Sequence, residues 1–153
     1  MVVWAVIHGF LGTVFAMGLA IAIWQAQFPA HRSLRPLRVN AIALTVLVTV
    51  KDFLGDLVYV TYRADTPDSA RSVILAGSRT WVHEIVMEYK EHMAHFLPVI
   101  LLVAVVLLFV YDIREKENRT PRRVLVSMFA VSLALSLAAL FMGALLTSTA
   151  PVK

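Results

Sequence analysis

Hydrophobic and polar positions divide the chain into four long apolar runs separated by short polar stretches. The first covers about 3–28 and holds no charged side chain, only His8. The second, about 39–63, is apolar up to Val50 and then carries Lys51, Asp52 and Asp56. The third, about 81–113, opens with "MEYKEHMAH" at 87–95, continues as an uncharged run to Asp112 and has Pro98 inside it as a possible kink. The fourth covers about 123–147. Each run exceeds the roughly 20 residues that span a bilayer as a helix. The stretches 29–38, 64–80 and 114–122 hold proline and charges and read as loops. Loops this short favour antiparallel neighbours, so the pattern predicts an all-α integral membrane protein, an up-down-up-down four-helix bundle forming a single domain over 1–153. The first run lacks a basic leader and a small-residue cleavage site, and reads as a retained span rather than a secretory signal.

Composition agrees with the membrane class. The chain is 59% hydrophobic, with mean hydropathy +0.77, and 16% charged, against about a quarter in soluble domains. It has no cysteine, which excludes disulfides, thiolate metal sites, iron–sulfur ligation and covalent c-type heme. A net charge of +4 carries no implication of a nucleic-acid partner, because basic residues of a membrane protein report topology; no glycine-rich phosphate loop is present. Arg32, Arg35, Arg38, Arg114, Lys116, Arg119, Arg122 and Arg123 lie in the first and third loops, against Arg63, Arg71, Arg79 and Lys153 elsewhere. The excess places those two loops in the cytoplasm and both termini outside, in the cytoplasmic membrane of a bacterium or archaeon. "REKENRTPRR" then touches anionic lipid, His31 is a solvated loop residue, and Trp4, Trp24, Trp81, Tyr59, Tyr62 and Tyr111 form an aromatic belt.

The ionisable groups are not scattered. At about 100° per residue, Glu84, Glu88, Glu91, His92 and His95 share one stripe of the third helix and Lys90 falls opposite. Asp52 and Asp56 share a face one turn apart, with Lys51 about 100° away from Asp52. Counted from the cytoplasmic boundary, His8, Asp52, Asp56, His92, His95 and Met142 reach one layer near the outer edge of the hydrocarbon. A mid-bilayer Asp or Lys costs about 2.5–3.5 kcal/mol, so these groups face the interior, meet each other or stand outside the hydrocarbon.

Three readings of the layer follow. His8 with His95 or His92 could clamp a heme iron from both faces, with Gly9, Gly12 and Gly18 giving a flat macrocycle room and Phe10 and Phe15 packing on it. Alternatively His8, His92, His95, Glu88 and Asp56 hold a single transition metal ion, the pairs Glu88/His92 and Glu91/His95 having ligand spacing, although no Glu-x-x-His or His-Glu-x-x-His is present. Third, Lys51 pairs with Asp56, Glu88 or Glu91 as a polar lock or proton route. The plainer account makes His8 an interfacial histidine, gives the glycines to helix packing, and lets the first turns of an over-long third helix stand in water. That account leaves Lys51 and Asp52 unexplained. The arrangement of "IHGFLG" and "EHMAH" resembles small four-helix membrane subunits that carry heme b and exchange electrons with quinone. The resemblance implies His8 and His95, or His92, as axial ligands and Arg79 and Lys90 as partners of the heme propionates. It also implies a non-catalytic electron-transfer or accessory subunit working beside other membrane subunits or copies of itself.

Overall fold

A computed structural model describes residues 2–29 and 33–150. His31, Arg32 and Lys153, used above for topology, lie outside the described residues. The described chain is helical, without a strand: α1 (Val2–Gln27), α2 (Arg35–Tyr62), a short α3 (Ala70–Ala76), a π-helical stretch Val82–Met87 that runs straight into α4 (Glu88–Val110), and α5 (Arg119–Thr149).

Local chemistry sets the boundaries. α2 opens with Pro36 in its first turn, where no amide proton is needed. α3 interrupts what reads as a plain loop because Ser69, in extended conformation, accepts the Ser72 amide on its Oγ at 3.2 Å. α4 ends at Val110, short of the expected Ile113, where Tyr111 turns extended. α5 starts four residues early, since Pro121 suits a first turn and does not delay the helix.

The long helices form a ring in which α1 lies against α2 and α5, and α4 lies against the same two. α1 and α4 therefore face each other across one diagonal. Near the α1–α2 connection Asn40 donates to the Gly18 carbonyl at 3.2 Å, and Arg38 donates to the Leu108 carbonyl at 3.0 Å, tying α2 to both neighbours. The side chains packed inside this end include Phe15, Leu19, Leu44, Val48, Leu97, Leu101, Leu125 and Phe129. A second, smaller apolar cluster, with Tyr62, Ile74, Val82, Met87 and Leu146, closes the other end.

Three helical segments, Val3–Gln27, Val82–Val110 and Arg119–Thr149, are long and apolar enough to cross a membrane. α2 has 28 residues, yet Lys51, Asp52 and Asp56 set it apart in composition. Its outward face is different: Val39, Ile42, Val46, Val50, Phe53, Leu57 and Val60 are all exposed. They recur every three or four residues along the helix, an unbroken apolar stripe.

Candidate functional site

Between the two apolar clusters lies a cavity of about 610 Å³. It sits where all four long helices converge, and its wall is mostly small or aliphatic: Gly9 and Gly12 from α1, Gly55 from α2, Ala94 and Leu97 from α4, Leu140 and Gly143 from α5. Into this wall are set His8, Lys51, Asp52, Asp56, Tyr59, Lys90, Glu91 and His95. Pro98 cannot donate an amide proton, so the carbonyl of Ala94 one turn earlier loses its usual helical partner.

The two histidines are held alike. The Nδ1–H of His8 donates to the backbone carbonyl of Lys51 at 2.9 Å. A carbonyl only accepts, so the proton is on Nδ1 and the lone pair on Nε2. His95 donates its Nδ1–H to Oδ2 of Asp52, also at 2.9 Å, which leaves Nε2 with the lone pair as long as the ring is neutral. Both anchors are on consecutive residues of α2. Covalent geometry keeps the Lys51 carbonyl oxygen and the Asp52 carboxylate within about 6 Å of each other, and with two 2.9 Å bonds the two Nδ1 atoms stand at most about 12 Å apart. The His8 ring lies on Gly55, where an added Cβ would come within 2.9 Å of its Cε1. One helix thus presets the orientation of two imidazoles contributed by its two neighbours.

The other residues singled out in the sequence fall elsewhere. His92 is exposed and donates to the Glu88 carbonyl of its own helix at 2.6 Å, away from the cavity wall. Glu88 pairs with Arg63, the residue that follows α2, whose guanidinium also lies 4.7 Å from the Tyr59 ring centre. Glu84 is exposed, on the π-helical stretch. Within α4 the cavity meets the flank that carries Lys90, Glu91, Ala94 and His95, so Glu88 and His92, on the other flank of the stripe, stay outside it; Glu84 lies on the π-helical stretch, whose wider turns shift its register. Lys90, placed opposite that stripe in sequence, also lines the cavity, its Cε 3.5 Å from where a Cβ on Gly143 would stand. Arg79 is exposed and belongs to a separate cleft with Val73, Gly77 and Ser148. Met142 packs with the second apolar cluster. Among the described residues no three of His, Asp and Glu converge so as to hold a metal ion, and Lys51 makes no ion pair.

A polar assembly that sequence reasoning passed over caps the cavity. His83 is buried, and Arg71 donates its Nε–H to His83 Nε2 at 3.3 Å. Nε2 is therefore the acceptor, and His83 Nδ1–H donates to the Tyr62 hydroxyl at 3.0 Å. The Tyr62 hydroxyl proton is left to point elsewhere, and Tyr62 itself lines the cavity. His83 stands eight residues before the polar run at 91–95 and at an unremarkable spacing; only the fold of the 64–80 segment brings Arg71 to it.

Comparison with protein families, characterised proteins and solved structures gave no match. The functional reading therefore rests on the geometry.

Proposed function

We propose that the chain is a membrane electron-transfer subunit that binds heme b between His8 and His95. The observation that carries this reading is the matched pair of histidines: each has Nδ1 fixed by α2, each keeps Nε2 for a ligand, and both border one cavity. Metal-bound histidines characteristically donate their second nitrogen to a carbonyl or carboxylate in this way. The fit extends to the wall, where Gly9, Gly12, Gly55 and Gly143 leave backbone within reach of a flat ring. Lys51 and Lys90 supply the cations that propionates need, in place of Arg79. Bound heme would supply a one-electron couple whose potential answers to its two axial ligands. The protein's own part is to fix both imidazoles, hold the Asp52 carboxyl on His95, and set the local field with Lys51, Lys90 and Glu91.

In this reading α2 is a fourth span. Its apolar outward stripe suits lipid while Lys51 and Asp52 turn inward and Asp56 sits at the rim, and the arginine and lysine asymmetry orients both termini outside, in a bacterial or archaeal cytoplasmic membrane. The absence of a soluble domain among the described residues suits a subunit that passes electrons to quinone or to a partner protein in a larger complex.

A visible spectrum of the purified chain, as isolated and after reconstitution with hemin, tests the proposal. The expected result is a reduced α-band of six-coordinate heme b, lost in His8→Ala and in His95→Ala and retained in His92→Ala. Absence of the band after reconstitution, or its survival in both alanine variants, sinks the reading. A second reading has its own observation: five side chains of opposite charge, Lys51, Asp52, Asp56, Lys90 and Glu91, face one cavity, as a proton-handling site requires. Proton uptake by vesicles that is intact in His8→Ala and lost in Glu91→Gln would favour it.

A further inference from the structure

Lys51 is 6% exposed, and it is the one charged side chain fully inside the bundle among the described residues. Its chain runs inward across the cavity, with Cδ 3.9 Å from where a Cβ on Gly12 would stand. Lys90 enters the same cavity from α4, against Gly143 of α5. Neither lysine's ammonium group has a carboxylate oxygen within 4.0 Å or a hydrogen bond to protein among the described residues. Of the nearby carboxylates, Asp52 is committed to His95, Glu91 faces the Tyr59 hydroxyl, Glu88 pairs with Arg63, and Asp56 is exposed at the rim. A buried ammonium without a partner is unstable in an apolar surround, and Lys51, with the half-buried Lys90 entering the same chamber, is completed by a negative charge.

We propose that Lys51 and Lys90 form an acid-binding site, which takes the carboxylate of a ligand whose remaining body is apolar. The wall supports both halves of that description. Lys51 enters from α2 and Lys90 from α4, and beside the polar groups already named the lining is largely glycine, alanine, leucine and other small or aliphatic residues. The cavity lies between helices that present apolar faces outward, so an amphiphile can reach it from the lipid. Two sources share the chemistry, a heme propionate and a long-chain fatty acid. The site is independent of the heme reading: it requires the carboxylate and not the iron.

The test uses the full chain in phosphatidylcholine nanodiscs and two matched pairs of probes, hexadecanoate with hexadecanol, and hemin with hemin dimethyl ester. Binding is read by native mass spectrometry and, for the hemin pair, by the Soret band. The expected result is that the acid member of at least one pair binds about tenfold or more tightly than its neutral partner, as a charge-assisted contact gives. That preference is lost in Lys51→Met and Lys90→Met and kept in Lys51→Arg, which holds the charge and controls for assembly. Equal binding within both pairs in the natural chain overturns the inference, and so does a preference that survives the double Lys51→Met, Lys90→Met variant. The two proposals fail separately. Hexadecanoate held through Lys51 with no Soret band removes the heme reading and keeps the acid site. Hemin and its dimethyl ester bound equally, with hexadecanoate no better than the alcohol, removes the acid site and keeps the heme.

Discussion

Gly55→Ala separates the stability of the bundle from the set of its histidine. A Cβ at position 55 would stand 2.9 Å from His8 Cε1 and 3.4 Å from its Nδ1, too close for the ring to stay where it is. The ring can swing away, but it then leaves the Lys51 carbonyl it holds at 2.9 Å. Losing that hydrogen bond costs about 1 kcal/mol. Alanine in place of glycine inside a helix returns about 0.8–1.0 kcal/mol. The two nearly cancel, so the thermal midpoint is expected to stay within the shift that about 1 kcal/mol produces. The tautomer is not protected by any such cancellation. Long-range ¹H–¹⁵N imidazole spectra are expected to show His8 as the Nδ1–H form in the natural chain and as a mixture in Gly55→Ala, with hemin affinity falling in parallel. Gly9→Ala is the control, since a Cβ there meets nothing within 4 Å. A Gly55→Ala protein with an unchanged His8 spectrum would refute the claim that this glycine seats the ring.

Ser132 is 0% exposed and its hydroxyl has no partner among the described residues; Ser132→Ala is therefore expected to be neutral or to stabilise by up to about 1 kcal/mol in thermal or denaturant unfolding, and a clear loss would reveal a bond to the hydroxyl. Tyr62→Phe strands the buried His83 Nδ1–H and is expected to cost about 1–3 kcal/mol, with faster amide exchange across 70–87 as the local signature. Outside the helices, hydrogen bonds from the Arg114 side chain and backbone hold the Asp112 carboxyl down at about 2. A lowered carboxylate stabilises only while ionised, so this contact is intact above the ordinary carboxylate range and is lost as pH falls through about 2. A ¹³C titration should show that low value in the natural chain and a value near an ordinary aspartate in Arg114→Ala.

Much of this was legible from periodicity and depth. Counting residues from the membrane boundary put His8, Asp52, Asp56 and His95 in one layer, and all four border the cavity. What the count could not resolve was rotation. The cavity meets α4 on the flank between Lys90 and His95, so Glu88 and His92 fall outside it although they share a stripe with Glu91 and His95, and the π-helical stretch before α4 shifts Glu84. Arg79 stood near in sequence to the outer end of α4, but α3 and the turn after it carry it to another cleft. The Arg71–His83–Tyr62 chain was invisible for the same reason, because its members belong to three elements whose approach depends on how the 64–80 segment folds. Segment length and apolar content are sums over neighbours in sequence; a hydrogen-bond partner 43 residues away is not.

The two faces of α2 bear on how the chain is made. As the fourth span proposed above, a lone α2 has no interior toward which to turn Lys51 and Asp52, and each charge left in mid-bilayer costs about 2.5–3.5 kcal/mol. Of its two histidine partners, His8 is already synthesised when α2 emerges, whereas His95 follows Asp52 by 43 residues. A nascent chain therefore holds α2 first by α1 alone, through a backbone carbonyl, with its carboxylates still unmatched. Stable integration is expected only once α4 has been added. Because the chain has no cysteine of its own, a single cysteine at position 54 reports the step: ribosome-bound chains whose α4 is still inside the ribosome should label with an aqueous thiol reagent, and chains from which α4 has emerged should not.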